Sequence, residues 1–244
     1  MRNIVRFNWH FYAFAFTLAA ILGLILVAGP VAVRSFAGVG LGLLLAPVFA
    51  SLAVSTYVYD LSDLYRLTWL PPTSLASPAL LTVNAGFDEI SPSLQLKYAA
   101  SSLLALDFYD PARHTEISIR RARRAYAPFP GTCQVDARAT LPLADDSIDF
   151  AFAFMAAHEI RDASERADFF QELRRVTKST GLIIVTEHLR DPANFLAYAI
   201  GFLHFYSRNA WLSTFRKAGL ELRREIKITP FVTTFLLSKN EGTA

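Results

Sequence analysis

The chain has 244 residues, 53% of them hydrophobic, with a formal net charge of +3; that length admits one or two domains. A single cysteine, Cys133, excludes an internal disulfide framework and suits a reducing compartment. Charge is unevenly spread: between Phe11 and Val58 only Arg34 is charged, whereas charges recur regularly after Asp60.

A hydrocarbon core is crossed by about 20 apolar residues in a helix. Phe11–Val33 and Phe36–Val58 each meet that requirement, and neither shows the polar face of a soluble helix. The apolar region of a cleaved signal peptide is about 7–15 residues, and here a second apolar segment follows at once. The pattern therefore predicts a retained transmembrane hairpin that turns at Arg34-Ser35, with a kink at Pro47. Phe7, Trp9, Phe11 and Tyr12 at one end, and Tyr57, Tyr59, Tyr65 and Trp69 after the other, suit an interfacial aromatic belt. Arg2, Arg6 and Arg66 outnumber Arg34, which places the N-terminus and the soluble part on the cytoplasmic side. Gly38, Gly40 and Gly42 offer a surface for close helix packing, although no pattern specifies an oligomeric state. Residues 1–69 are thus expected to form a membrane anchor and 70–244 a globular domain, with Leu70-Pro71-Pro72-Thr73-Ser74 between them.

From Leu80 short apolar strands alternate with amphipathic helices. Strands are predicted at Leu80–Ala85, Leu103–Asp107, Thr132–Asp136, Ile148–Phe154 and Leu182–Thr186. Helices are predicted from Ser91-Pro92-Ser93, over Pro111–Ala125, after an N-cap at Ser164, and over Trp211–Ala218. Gly181 is expected to close the third of these helices. Glu221–Ile228 and Val232–Ser238, joined through Pro230, read as an antiparallel pair. The alternation implies an α/β fold with a largely parallel sheet covered by helices on both faces.

In such sheets ligands sit outside the carboxyl ends of the strands. Gly86 follows the first strand, Asp107 ends the second where an acid can accept from ribose hydroxyls, and Asp136 ends the third. The run LPLADDSIDFAFAFMAAHEI, with ELRRVTKSTGLIIVTE after it, resembles class I S-adenosylmethionine-dependent methyltransferases of the type 11 kind. That resemblance covers roughly Leu80–Lys239 and implies a Rossmann-like sheet ending in an antiparallel strand pair. It implies S-adenosylmethionine as cofactor, with Asp107 on the ribose, Phe108 against the adenine, Asp136 and Ala137 beside the adenine amino group, and Met155 to His158 bordering the methionine moiety. The glycine-rich loop departs from the family pattern: in Asn84-Ala85-Gly86-Phe87-Asp88-Glu89-Ile90, Asn84 stands where an acid is usual and only Gly86 survives. Asp88 there either narrows the approach or meets the cofactor's amino group.

His158 and Glu159, after the fourth strand, are the first candidates for a catalytic base, because an imidazole titrates near neutral pH; Glu187 and His188 are the second. These four lack the helical spacing of an H-E-x-x-H zinc site, so no metal is expected. Asn194–Tyr206 is apolar and too short to span a bilayer, and reads as a lid or as an interfacial helix. Arg113 and Arg120–Arg124 form a basic cluster suited to solvent or anionic lipid headgroups; no recognition motif accompanies it, so nucleic acid is not an expected partner. The expected activity is methyl transfer to a hydrophobic or membrane-associated small-molecule acceptor. The rival expectation is a non-catalytic membrane protein with a degenerate methyltransferase-like binding domain.

Overall fold

The computed structural model describes residues 2–99 and 101–240. Two long helices come first, α1 (Arg2–Ala28) and α2 (Val31–Thr56), each long and apolar enough to cross a membrane. They turn at Gly29-Pro30, five residues before the expected Arg34-Ser35 (34 − 29 = 5). Proline lacks an N–H and favours a helix start, so the break falls there. Arg34 instead lies in the first turn of α2 and donates from Nε to the Gly29 carbonyl at 2.9 Å. Pro47 sits within α2, which continues past it to Thr56. The break in helical geometry is in α1, at Asn8. Where the two helices face one another, a Cβ on Gly38 or Gly40 would lie 3.6 Å from Leu26 or Leu22, ordinary contact, whereas Gly42 faces open space.

A π-helical turn, Tyr57–Leu61, leads from α2 into the globular part. Val58, Leu64, Leu67 and Leu70 are buried with Leu80, Phe150, Phe152 and Phe154 in one of two apolar clusters. There follow β1 (Ala79–Asn84), α3 (Ser91–Lys97), β2 (Ser102–Asp107), α4 (Ile117–Ala125), β3 (Cys133–Gln134), β4 (Ile148–Phe154), α5 (Ala163–Val176) and β5 (Thr177–His188). The chain ends with α6 (Pro192–Tyr198), α7 (Arg208–Lys217), β6 (Leu220–Thr229) and β7 (Val232–Lys239). The seven strands run in the order β3-β2-β1-β4-β5-β7-β6. The first five are parallel, and β7 is antiparallel to both its neighbours, its pairing with β6 being the predicted one. This is a Rossmann-like sheet whose strand order reverses between β1 and β4. Every residue of β4 is buried, as its unbroken apolar run requires of a central parallel strand.

Several boundaries move for local reasons. Asp162, not Ser164, caps α5, because its Oδ1 accepts from both Ser164 N at 2.8 Å and Glu165 N at 2.9 Å. Gly181 does not close that helix; it lies inside β5, where a Cβ would come within 2.7 Å of the Asp149 carbonyl. The expected helix over Pro111–Ala125 begins only at Ile117, since Asp110 Oδ1 accepts from Ala112 N at 2.8 Å and Asp110 N donates to His114 Nδ1 at 2.8 Å, holding a turn instead. The third strand shrinks to Cys133–Gln134 at the exposed sheet edge.

Candidate active site at the carboxyl edge of the sheet

The loop after β1 is shaped by Asn84. Its Oδ1 accepts from Gly86 N at 3.0 Å, and its Nδ2 donates to the Leu106 carbonyl at 3.3 Å. A carboxylate could not make the second bond, which accounts for the amide at this position. Gly86 has φ +99°, a conformation that favours glycine, and Ala85 beside it is buried. Asp88 uses Oδ1 to accept from Ile90 N at 3.1 Å and Ser91 N at 3.0 Å at the start of α3. Its Oδ2 is buried and has no hydrogen-bond partner among the described residues.

Asp107, 4% exposed, ends β2 beside this loop. Its Oδ1 accepts from Tyr109 N at 2.9 Å, and its Oδ2 is ion-paired with Arg123 of α4. The Arg123 guanidinium lies 4.5 Å over the Tyr109 ring. Arg123 and Tyr109 also fill the open side of Gly86, where each would lie 3.0 Å from an added Cβ. Phe108, assigned to the adenine by resemblance, turns into the core instead, 5.3 Å from Phe169 between ring centroids and 2% exposed. Tyr109 is the aromatic ring beside the loop. Asp136, half-exposed, accepts from Arg138 N, Nε and Nη2 at 2.9, 3.0 and 2.8 Å, and these bonds hold its carboxyl below the usual carboxylate range. Ala137 is half-buried against the core. Met155 takes φ +48° at the end of β4 and donates from its N to the Thr186 carbonyl at 2.9 Å.

A second group of polar side chains lies under the carboxyl ends of β4 and β5. His158 and Glu159 occupy a 3-10 turn, Ala157–Glu159. His158 Nδ1 lies 2.7 Å from Glu187 Oε2, and its Nε2 lies 3.2 Å from Glu159 Oε1. Burial lowers the His158 pKa, but the two carboxylates outweigh it and raise the value to about 10. Burial raises the Glu159 pKa, and hydrogen bonds from His158 and His204 overcome this and hold it well below the usual range. His204 Nε2 lies 3.3 Å from the same Glu159 Oε1, and its Nδ1 lies 3.1 Å from Glu116 Oε1. Glu89 feels the charges of His158 and Glu187; burial pushes its carboxyl up to about 7 against the opposing bond from Tyr65.

His188 is a separate, structural histidine. It lies 2.9 Å from the Phe231 carbonyl through Nδ1 and 2.8 Å from the Tyr59 hydroxyl through Nε2, and its ring stacks on Phe205 at 4.9 Å. The carbonyl can only accept, so Nδ1 carries the proton and Tyr59 donates to Nε2. Burial lowers this pKa to about 4. The stabilisation is complete above about 6.5, the unfolded value, and is lost as pH falls towards about 4 while the unfolded chain takes up a proton. Histidine ¹⁵N spectra should show a neutral, Nδ1-protonated His188 from pH 7 down to near its midpoint at about 4. A midpoint at the ordinary histidine value would contradict the assignment.

The carboxyl edge of the sheet faces the base of the helical hairpin. Tyr59 reaches His188, Tyr57 meets Phe231 edge-on at 6.4 Å, and Phe7 meets Phe87 edge-on at 6.1 Å. Arg121 of α4 donates to the Phe7 carbonyl at 2.6 Å and lies 2.8 Å from His10 Nδ1, so the basic helix is partly used within the molecule. Residues 194–206 do not make one helix: α6 stops at Tyr198, Ala199 takes φ +48°, and a 3-10 stretch Ala199–His204 follows. Phe195, Leu196, Ile200 and Leu203 are exposed along it.

The strand-end positions therefore bring together Asn84, Ala85, Gly86, Asp88 and Asp107, and separately His158, Glu159 and Glu187. Sequence reasoning missed Tyr109, the pairing of Arg123 with Asp107, and His204. Arg123 was visible only as one of several arginines, and His204 as one polar residue in an apolar run.

Residues 81–185 match the sequence model of a family described as methyltransferase domain. No curated protein sequence matches the chain. Among solved structures, an S-adenosylmethionine-dependent methyltransferase from Aquifex aeolicus superposes with a TM-score of 0.53 at 15% identity, over 78% of this chain and 97% of that one. A putative methyltransferase complexed with the Trm112 methyltransferase activator of Haloferax volcanii gives 0.52 at 13% identity, over 78% and 94%. An O-methyltransferase family 2 protein from Planctomyces limnophilus, complexed with apigenin, gives 0.52 at 16% identity, over 79% and 60%. Residues 81–185 are thus similar to a methyltransferase domain, and the globular part has the Rossmann-like fold of the S-adenosylmethionine-dependent methyltransferases, preceded by two apolar helices that form a candidate hairpin.

Proposed function

We propose that the protein is a membrane-anchored methyltransferase that uses S-adenosylmethionine and acts on a hydrophobic or membrane-associated small-molecule acceptor. The observation that supports this reading is that the carboxyl edge of the sheet, which carries the candidate residues, packs against the base of the apolar hairpin. In this reading residues 1–69 are the anchor, residues 70–244 the methyltransferase-like domain, and the site faces the bilayer from the cytoplasmic side.

The donor set suits the cofactor. Asp88 Oδ2, buried and without a partner among the described residues, is an acceptor for an ammonium group, and Asp107 and Asp136 are acceptors for ribose hydroxyls and an adenine amino group. Tyr109 replaces Phe108 as the ring available beside the loop, and Asn84, Ala85, Gly86, Ala137 and Met155 shape the walls. When bound, S-adenosylmethionine supplies an electrophilic methyl group on a sulfonium. The chain's own work is to orient the acceptor and exclude water, which accounts for much of such an acceleration. His158, held by Glu187 and Glu159, is protonated at neutral pH, so it takes a proton from a hydroxyl acceptor only after losing its own. The exposed Phe195, Leu196, Ile200 and Leu203 give an apolar acceptor a path from the lipid phase.

Calorimetry of the detergent-solubilised protein with S-adenosylmethionine tests the reading. Asp136→Ala and Asp88→Ala are each expected to weaken binding by about tenfold, the loss of one hydrogen bond to a charged group. Unchanged affinity in Asp88→Ala would remove its role, and no binding by the wild type would leave the second reading, a degenerate binding domain without catalysis. One observation favours that second reading: Arg123 already occupies Asp107 and the open side of Gly86.

A further inference from the structure

We infer that His158, Glu159 and His204 form a binding site for one divalent transition-metal ion of the zinc or cobalt type. Three donor atoms from these residues lie within 4.8 Å of one another. The two distances to Glu159 Oε1, 3.2 Å from His158 Nε2 and 3.3 Å from His204 Nε2, are close to the edge of a tetrahedron. Metal–ligand bonds of about 2.0–2.1 Å at tetrahedral angles separate ligand atoms by about 3.3–3.4 Å. Two histidines and one glutamate are also a known ligand set for zinc sites that keep an open fourth position.

The surroundings supply the second observation. A metal-bound histidine commonly gives its other ring N–H to a carboxylate, which fixes the ring and strengthens the ligand. Both histidines are backed in this way: Glu187 Oε2 is 2.7 Å from His158 Nδ1, and Glu116 Oε1 is 3.1 Å from His204 Nδ1. Two carboxylate–histidine pairs thus converge on a single glutamate oxygen. They come from four places in the chain: the segment before α4, the turn after β4, the end of β5, and the 3-10 stretch after α6.

Arg161 is the competing cation. Its Nη1 donates to the His204 carbonyl at 2.7 Å, and its Nη2 lies 2.6 Å from His204 Nε2. Its side chain is 45% exposed, so it can swing into solvent when an ion takes its place. The site deepens the proposed methyl transfer and rests on it for one point: an acceptor oxygen on the open position would be oriented and acidified by the ion, and His158 would then serve as ligand in place of base.

The test is binding of Zn²⁺ and Co²⁺ to the chelator-stripped, detergent-solubilised full chain without cofactor, by equilibrium dialysis and by the visible absorption of Co²⁺ in a tetrahedral site. Wild-type protein is expected to bind one ion per chain. His204→Ala and Glu159→Gln should lose at least about 100-fold in affinity. Glu116→Gln, which leaves all three ligands in place, should lose about 10–100-fold, and Arg161→Ala should bind more tightly. If His204→Ala fails to fold, Glu116→Gln and Arg161→Ala decide. No binding by the wild type, or equal binding by wild type and Glu116→Gln, overturns the site. Because no cofactor is present, that failure leaves the methyltransferase reading to its own calorimetric test.

Discussion

Replacing Arg123 by alanine is expected to tighten S-adenosylmethionine binding by about tenfold, whereas Asp107→Asn is expected to weaken it by about 10–100-fold. Both effects follow from one carboxylate. Asp107 Oδ2 is ion-paired with Arg123, and the same guanidinium fills the space beside Gly86. A ribose that uses Asp107 must displace it. A hydrogen bond to a charged group is worth about 1.5–3 kcal/mol, and the Arg123 side chain is 35% exposed, so solvent screening puts the cost at the low end. Removing the arginine removes that cost of displacement. The measurement is calorimetric affinity in detergent for wild type, both single variants and the double variant, with a thermal melt as the folding control. Alanine leaves Asp107 without its counter-charge, so some loss of melting temperature is expected in Arg123→Ala. A folded Arg123→Ala that binds no more tightly would show that the arginine does not guard the cofactor position.

The largest loss of stability is expected at Trp211. Its side chain is fully buried, stacked on Phe215 at 5.8 Å and edge-on to Phe170 at 6.2 Å and Tyr206 at 5.7 Å. Trp211→Ala should cost about 3–5 kcal/mol, because the transfer term and the cavity left behind add. Trp211→Phe should cost clearly less, since the indole Nε1 is buried without a hydrogen-bond partner among the described residues and its removal relieves an unsatisfied donor. Denaturant midpoints in the same detergent give both numbers. Equal losses in the two variants would show that the indole itself stabilises the site, and would contradict both the cavity account and the stranded-donor account. The effect reaches the site through α7 and α5: Arg166, also buried, lies 4.0 Å over the Tyr206 ring and donates to the Ile160 carbonyl at 2.8 Å, just past the His158–Glu159 turn.

Period and composition carried the architecture. The unbroken apolar run of β4 dictates a central strand buried on both faces, and its observed limits, Ile148–Phe154, are those predicted. The two apolar segments at the start dictate long helices, and the strand–helix alternation dictates a parallel sheet. The short link at Pro230 dictates the antiparallel pair of β6 and β7. Such features are local, since each depends on residues within one turn or one strand of each other. Boundaries were less legible where a side chain competes for a backbone group: Asp162 takes the cap from Ser164, Asp110 delays α4, and Pro30 takes the hairpin turn from Arg34.

The site divides in the same way. The sequence by itself determined which polar residues stand at the strand ends: Gly86 and Asp107 beside one another, and His158 with Glu159 and Glu187 at the next pair of strands. Only the tertiary structure decided what those groups face. Asp107 meets an arginine sixteen residues away (123 − 107 = 16), and His158 shares a carboxylate with His204 of a segment that read as merely apolar. Phe108, whose position suggested the adenine, faces the core because successive residues along the chain at a strand end point to opposite sides. Pairings between distant segments depend on the packing of whole elements, which no short-range pattern records. That packing also sets the carboxyl edge against the apolar hairpin, through Phe7, Tyr57 and Tyr59.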